Sequence, residues 1–241
     1  CWYVAGWSGD FTHALTPLRI LDEPIVVFRT EAGVPAALED ACPHRKLPLS
    51  KGRLTGETVE CGYHGLTFDC SGTCVRAPTQ AGPPPAVTVR SYPVEDRWGI
   101  LWIWMGDANK ANPDKIFEIP NYDNPAWGRT QGGSMDIACH YLYVVDNLLD
   151  PSHVAWVHVS SFAGAGTGNL PLELEKLDDG IIVSRWVMDA PPPPYYEPIL
   201  PFSGNCDRKQ HYECRLPSTA INMSVYTRAG TGGDNAKLPD D

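Results

Sequence analysis

The chain has 241 residues and a formal net charge of −10, which is length enough for one large domain or two ordinary ones. The acidic balance argues against nucleic acid as a partner, and no apolar run approaches the roughly 18 residues of a membrane span. The eight cysteines fit no small disulfide scaffold, and a chain of this size does not need one.

The first residues, Cys1-Trp2-Tyr3-Val4, look like the inside of a strand, which predicts that a few residues precede them; no leader peptide is read. Residues 1–110 read as all-β. Pro24–Arg29 predicts a strand, Glu31-Ala32-Gly33 a turn, and Val34–Leu38 a strand pairing back. Leu66-Thr67-Phe68 and Val87-Thr88-Val89 are further short strands, with a hairpin turn at Ser71-Gly72-Thr73 between Cys70 and Cys74. Trp98–Trp104 is the strongest strand signal, rich in aromatic and branched residues. Pro83-Pro84-Pro85 is a stiff extended connector. An Asn-, Pro- and Asp-rich stretch from Gly106 to Pro125 predicts the domain boundary, dividing the chain into 1–110 and 111–241. Ser134–Tyr143 predicts a strand, Val144–His158 a helix interrupted at Asp150-Pro151, and Ser161–Gly168 a mobile loop. Pro191–Pro194 is a polyproline bend. Ile181–Met188 and the alternating runs 209–216 and 219–227 predict antiparallel sheet. The fold class is therefore α+β: an all-β first domain, then an antiparallel sheet with few helices.

Two Cys–His pairs carry the chemistry. Cys42-Pro43-His44 and Cys61-Gly62-Tyr63-His64 each offer one thiolate and one imidazole, with sixteen residues between His44 and Cys61. A structural zinc site usually takes paired cysteines from one short loop. Two sulfurs and two nitrogens from two such loops are the ligand set of a Rieske [2Fe–2S] centre, in which Cys42 and Cys61 hold one iron and His44 and His64 the other. Zinc is the competing reading. The second constellation is Asp146-Asn147-Leu148-Leu149-Asp150-Pro151-Ser152-His153, continuing to His158. Histidines five apart lie about 140° apart around an ideal helix, so joint binding of one metal needs a distorted turn, and Pro151 supplies part of that break.

With both constellations in one chain, the sequence resembles the oxygenase (α) component of the Rieske non-heme iron oxygenases, most of all the vanillate O-demethylase and dicamba monooxygenase branch. The resemblance rests on Trp2-Tyr3-Val4-Ala5, Cys42-Pro43-His44-Arg45, Cys61–Gly65, Trp102-Ile103-Trp104 and Asp146–His158, in the family's order. It implies a helix-grip catalytic domain, lacking its C-terminal part here, in which His153 and His158 hold a mononuclear Fe(II). The third ligand, a carboxylate, would lie beyond residue 241, and Asp178, Asp179, Asp207, Asp240 and Asp241 do not sit at the matching place. Asp150 matches a bridging aspartate between His153 and the His64 of a neighbouring subunit in a homotrimer; its position also suits a helix N-cap ahead of Pro151, and the two roles are compatible. Asn147 is placed near the iron and Asn222 near substrate, against the alternatives of a solvated helix amide and an exposed strand residue.

The implied reaction is O₂-dependent monooxygenation of a small aromatic substrate, read first as O-demethylation of a methoxy group. Ring dihydroxylation or methyl hydroxylation by the same machinery is the alternative, and an electron carrier without catalytic iron a more distant one. Electrons would come from NAD(P)H through a separate reductase, with or without a ferredoxin, in a bacterial cytoplasm. Arg129, Arg185 and Arg215 are candidates to meet a substrate carboxylate, with surface ion pairs as the competing explanation. Leu66 and Phe68 stand where respiratory-chain Rieske proteins carry Ser and Tyr, and Leu47 and Tyr63 where those proteins carry a loop disulfide. Without those donors the reduced cluster is less stabilised, which predicts a low potential.

Overall fold

The computed structural model describes residues 1–163 and 167–231. The chain divides into two compact units, Cys1–Met135 and Asp136–Asp241. The first unit contains β1 (Trp2–Trp7), β2 (Thr16–Ile20), β3 (Glu23–Arg29), β4 (Pro35–Glu39), β5 (Arg53–Thr55), β6 (Thr58–Glu60), β7 (Thr67–Phe68), β8 (Cys74–Arg76), β9 (Ser91–Tyr92), β10 (Val94–Arg97) and β11 (Ile100–Trp104). They form three antiparallel sheets, ordered β1-β11-β10, β2-β3-β4-β9 and β5-β6-β7-β8.

Strand β3 explains why its apolar run is continuous rather than alternating: both faces are buried. Val26 and Phe28 enter a core with Leu38, Leu49, Val59 and Phe68, while Ile25 and Val27 enter a second core with Leu101 and Ile103. The strand expected from Trp98 begins instead at Ile100. Trp98 and Gly99 have φ values of 61° and 70°, the two positive-φ positions of a tight hairpin turn between β10 and β11. The indole is held outside the ladder by donating to the Phe117 carbonyl at 2.9 Å. Val87–Val89 forms no strand, only a Thr73–Thr88 bridge. Its carbonyls and amides are spent on the β7–β8 turn, with Cys74 N donating to Val87 O and Val89 N to Gly72 O.

The segment read as a boundary stays with the first unit. Trp2 Nε1 donates to Asn112 O and Arg97 Nη1 to Pro113 O, each at 2.8 Å. Ile116 is buried with Trp2 and Trp102. The compact unit consequently runs past 110, to Met135. Composition marked an irregular segment there; packing kept it attached.

The second unit holds α1 (Tyr141–Leu149) and α2 (Val154–Val157), then β12 (Glu173–Leu177), β13 (Gly180–Ala190), β14 (Cys206–Arg215) and β15 (Thr219–Arg228). The four strands form one antiparallel meander in chain order, and α1 packs on β14 and β15. The strand expected over Ser134–Tyr143 is absent. Met135 and Ile137 are exposed with no partner strand, and α1 starts at Tyr141, where His140 Nδ1 accepts from Leu142 N at 3.3 Å. Part of the loop expected at Ser161–Gly168 lies outside the described residues; Val159–Ala163 forms a π-helical turn. Among the described residues, no helix is long and apolar enough to cross a membrane.

Candidate cluster and iron sites

The two ligand loops are built alike. The first joins β4 to β5 and the second joins β6 to β7. In the first, Lys46 N donates to Cys42 O at 2.8 Å and Cys42 N to Leu47 O at 2.9 Å. In the second, Gly65 N donates to Cys61 O at 3.1 Å and Cys61 N to Leu66 O at 2.8 Å. The fourth residue after each cysteine is left-handed, with φ of 58° at Lys46 and 70° at Gly65. Gly65 meets that demand without cost, whereas Lys46 bears a penalty of about 1 kcal/mol. Gly62 has a separate reason: a Cβ there would stand 2.9 Å from Lys51 O. Asp40 fixes the start of the first loop, accepting from Ser50 N and Ser50 Oγ, both at 2.6 Å.

This repeated turn sorts the four side chains into two pairs. Cys42 and Cys61 are both 2 % exposed and lie within the core, with their thiols in contact. The His44 and His64 rings face each other at the surface, centroids 4.6 Å apart. Cys42, His44, Cys61 and His64 line one depression with Leu47, Tyr63 and Leu66. Burial pushes the Cys42 thiol up, Cys61 adds to the rise, and the backbone N–H groups of His44 and Arg45 oppose it. Those N–H groups are aimed where a ligating sulfur needs donors. Sulfurs inside and imidazoles outside suit a two-iron cluster, each iron taking one pair. Among the described residues, no three His, Cys, Asp or Glu side chains gather around a single ion position.

Leu66 lines the depression, whereas Phe68 is fully buried in the core beneath it. Replacing Leu66 with Ser is therefore expected to raise the cluster potential from the low end of the Rieske range, about −150 mV, by adding a donor beside a ligating sulfur. Redox titration of the variant against the parent checks this; an unchanged or lowered potential contradicts it.

The second constellation lies where α1 ends. Asp150 caps α1 with φ −94° and ψ 92°, Pro151 continues the break, and α2 runs only from Val154 to Val157. The histidines therefore do not sit on one regular helix. His153 precedes α2 and His158 follows it, with ring centroids 5.5 Å apart and planes inclined by 68°. Two imidazoles bonded to one ion at about 2.1 Å each have ring centres roughly 4.5–5.5 Å apart, so the pair fits a shared metal. His153 Nδ1 is buried without a hydrogen-bond partner, and it lies 3.7 Å from Asp150 Oδ2, beyond hydrogen-bond reach. The other Asp150 oxygen accepts from Ser152 N at 2.8 Å and from Ser152 Oγ at 2.5 Å. Those two bonds hold the Asp150 carboxyl below the usual carboxylate range, with His153 adding to the effect and burial opposing it. Asp150 therefore serves the local turn with one oxygen and faces His153 with the other.

Asn147 is exposed one turn earlier on α1, and its carbonyl accepts from Asp150 N at 3.4 Å. Asn222 is exposed on β15 opposite Tyr212. Arg215 pairs with Glu213 and Asp179, and Arg129 with Asp123, so both behave as ion-pair residues. Arg185 does not. It is 3 % exposed, donating to Gln210 Oε1 at 2.6 Å, Thr167 O at 2.7 Å and Pro151 O at 3.2 Å. The last bond ties β13 to the turn that carries Asp150 and His153. Its sequence signal was an arginine in step with Val183 and Val187, on the inward positions of an alternating strand.

Comparison with known proteins decides the family. The Rieske [2Fe-2S] domain matches residues 1–93, and the Vanillate O-demethylase oxygenase C-terminal domain matches 137–240. The iron-sulfur subunit of a toluene-4-sulfonate monooxygenase system from Comamonas testosteroni is 36% identical over 245 residues, covering 100% of this chain and 70% of that protein. The chain belongs to the Rieske oxygenase family. A vanillate O-demethylase oxygenase subunit from a Pseudomonas species is 35% identical over 242 residues, covering 98% of this chain and 67% of the relative. Dicamba monooxygenase bound to 3,6 dichlorosalicylic acid superposes with a TM-score of 0.88 at 33% identity, over 96% of this chain and 68% of that one. As a Rieske oxygenase the chain is an oxidoreductase, and the family's cofactors are a [2Fe–2S] cluster and a mononuclear iron.

Proposed function

We propose that this chain is the oxygenase component of a monooxygenase that removes the methyl group of a methoxy-aromatic as formaldehyde. The observation that carries the reading is the presence, in one chain, of the paired Cys–His loops and of the His153–His158 pair with Asp150 against it. Relatives named as vanillate O-demethylase and dicamba O-demethylase support O-demethylation over the ring dihydroxylation and methyl hydroxylation open to the same machinery.

Cys42 and Cys61 hold one iron of the cluster, and His44 and His64 the other. His153 and His158 would supply two ligands to the mononuclear iron, with a carboxylate as the third. When bound, the cluster relays single electrons and the mononuclear iron supplies O₂ activation. The chain's own residues set the conditions. The buried cysteines keep the sulfurs out of water, while the exposed histidine edge leaves a short route for electrons. Asp150 Oδ2 faces His153 Nδ1 at 3.7 Å; shortening to a hydrogen bond once metal is bound would orient the ring and leave Nε2 for the metal. In a homotrimer, the same carboxylate would also reach His64 of the next subunit, linking the two centres. Two electrons from NAD(P)H, delivered by a reductase with or without a ferredoxin, balance the reaction. One oxygen atom enters the methyl C–H bond and the other leaves as water. The resulting hemiacetal then splits into a phenol and formaldehyde. A bacterial cytoplasm is the proposed setting.

The test supplies full-length protein with a reductase, NADH and a panel of methoxy-aromatics, and measures O₂ uptake and formaldehyde. One formaldehyde per O₂ is expected. A diol or benzylic alcohol without formaldehyde selects the alternative reactions.

A further inference from the structure

The inner face of the second unit's sheet carries a buried charge that nothing described in the chain neutralises. Residues of one face alternate along a strand, so Arg208, Gln210 and Tyr212 of β14 share a side. The register sets them beside Val187, Arg185 and Val183 of β13 and beside Tyr226, Ser224 and Asn222 of β15. The Arg185 bonds to Pro151 O and Thr167 O show that this side faces the turn bearing Asp150 and His153. Arg208 is 0 % exposed. None of its three guanidinium nitrogens makes a hydrogen bond of good geometry among the described residues, and the polar group close to it is the neutral Tyr226 hydroxyl.

That is an expensive arrangement for a lone protein. A guanidinium has five N–H donors and stays charged at every working pH. Burying it unpaired costs several kcal/mol. Its neighbour Arg185 cannot help, being a second cation whose own donors go to neutral oxygens. Tyr226 lies across the strand pair from Arg208, and Tyr196 packs on Tyr226 with ring centroids 4.8 Å apart. Burial pushes the Tyr226 hydroxyl up to about 12 and the Tyr212 hydroxyl up as well. Both therefore stay protonated, as neutral donors. The face thus offers a fork of unused donors, a second positive charge behind it and aromatic rings beside it. A ligand that completes it needs a flat apolar body and an oxyanion.

We infer that Arg208 is the anchor for the acid group of an anionic aromatic substrate, a carboxylate or a sulfonate held by the guanidinium fork. This rests on the reading that the sheet face lines the substrate chamber of the monooxygenase. Arg208 lies two positions along β14 from Gln210, about 7 Å. Gln210 in turn holds Arg185, which is bonded to the iron-site turn. The acid group would thus be fixed at a set distance from the histidines, and it would select which part of the ring or its substituent meets the iron. Arg208 binds and orients; it moves no proton.

The experiment is calorimetric titration of the full-length protein, without reductase, against 4-methoxybenzoate, 4-methoxybenzenesulfonate and the neutral methyl 4-methoxybenzoate. Wild-type protein should bind at least one acid far more tightly than the ester. Arg208→Met should weaken that acid roughly a hundredfold and leave the ester within about twofold, while Arg208→Lys, which keeps charge but loses the fork, should lose about tenfold. Ligand-free Arg208→Met should melt no lower than the parent, because an unpaired buried charge has been removed. Equal affinity of wild type for acid and ester, or failure of both acids to bind, overturns the proposal. So does an Arg208→Met protein that is strongly destabilised yet keeps its acid affinity, since Arg208 would then be the counterion of another segment of its own chain. If Arg208→Met does not fold, the acid-to-ester ratios of wild type and Arg208→Lys decide alone. Because no turnover is measured, tight acid binding without formaldehyde release would refute demethylation and leave this inference standing.

Discussion

Cys42→Ser is expected to abolish the cluster outright. The purified variant should lose the visible absorption and the reduced-state paramagnetic signal of a [2Fe–2S] centre, and O₂-coupled turnover should fall to background. A serine oxygen is a poor substitute for thiolate towards iron. The position is also 2 % exposed, inside the core with Val59 and Phe68. An unligated hydroxyl there would be buried without a partner, at a cost of about 1–3 kcal/mol. A second variant, His153→Ala, separates loss of the cluster from loss of the fold: it should keep the full cluster signal and lose mononuclear iron. A normal cluster spectrum after Cys42→Ser, or zinc in place of iron in the wild-type loops, would sink the Rieske assignment of these residues.

Asp150→Asn is the second large effect. The amide oxygen of Asn can still accept from Ser152 N, as Asp150 Oδ1 does at 2.8 Å, so the break between α1 and α2 should survive. What changes is the group 3.7 Å from His153 Nδ1. A carboxylate there stays ionised at neutral pH because the Ser152 hydrogen bonds favour its charged form. An amide supplies no charge to steady the imidazole. Loss of such a partner typically costs 10–100-fold in activity or metal affinity. The expected result is protein with both metal centres and turnover reduced by about that factor. Iron analysis, cluster absorption and single-turnover kinetics on one preparation distinguish the outcomes. Full activity would reduce Asp150 to a local turn residue.

The candidate sites were legible in the sequence because their information is local. Each cluster loop is a run of three or four residues with its ligands inside it, and the glycines of the second loop announce its bend. The irregular helix was legible for the same reason, since Asp150-Pro151 must interrupt hydrogen bonding wherever it stands in a helix. Features that depended on partners distant in sequence were misread. Trp98 looks like strand by composition, but the β10–β11 hairpin needs a two-residue turn there and puts both residues at positive φ. Met135 and Ile137 alternate like a strand with no neighbour to pair with.

Residue types and spacings alone pointed to the proposed cluster ligands, two sulfurs and two nitrogens from matched loops, while the proposed roles of His153, His158 and Asp150 came from the family resemblance. Tertiary structure alone decided what surrounds that chemistry. Lys46 takes the left-handed place that Gly65 takes in the other loop, a likeness visible only when both turns are closed. Arg185, in sequence a candidate to meet a substrate carboxylate with a surface ion pair as the competing explanation, is buried because β13 pairs with β14 in a register that sets it beside Gln210. Arg208 becomes an unpaired cation only through the register of three strands and the full burial of its own side chain among them. A strand's own sequence gives its period of two but not the neighbour that covers each side, and burial, which sets the energy of a charge, is a property of those neighbours.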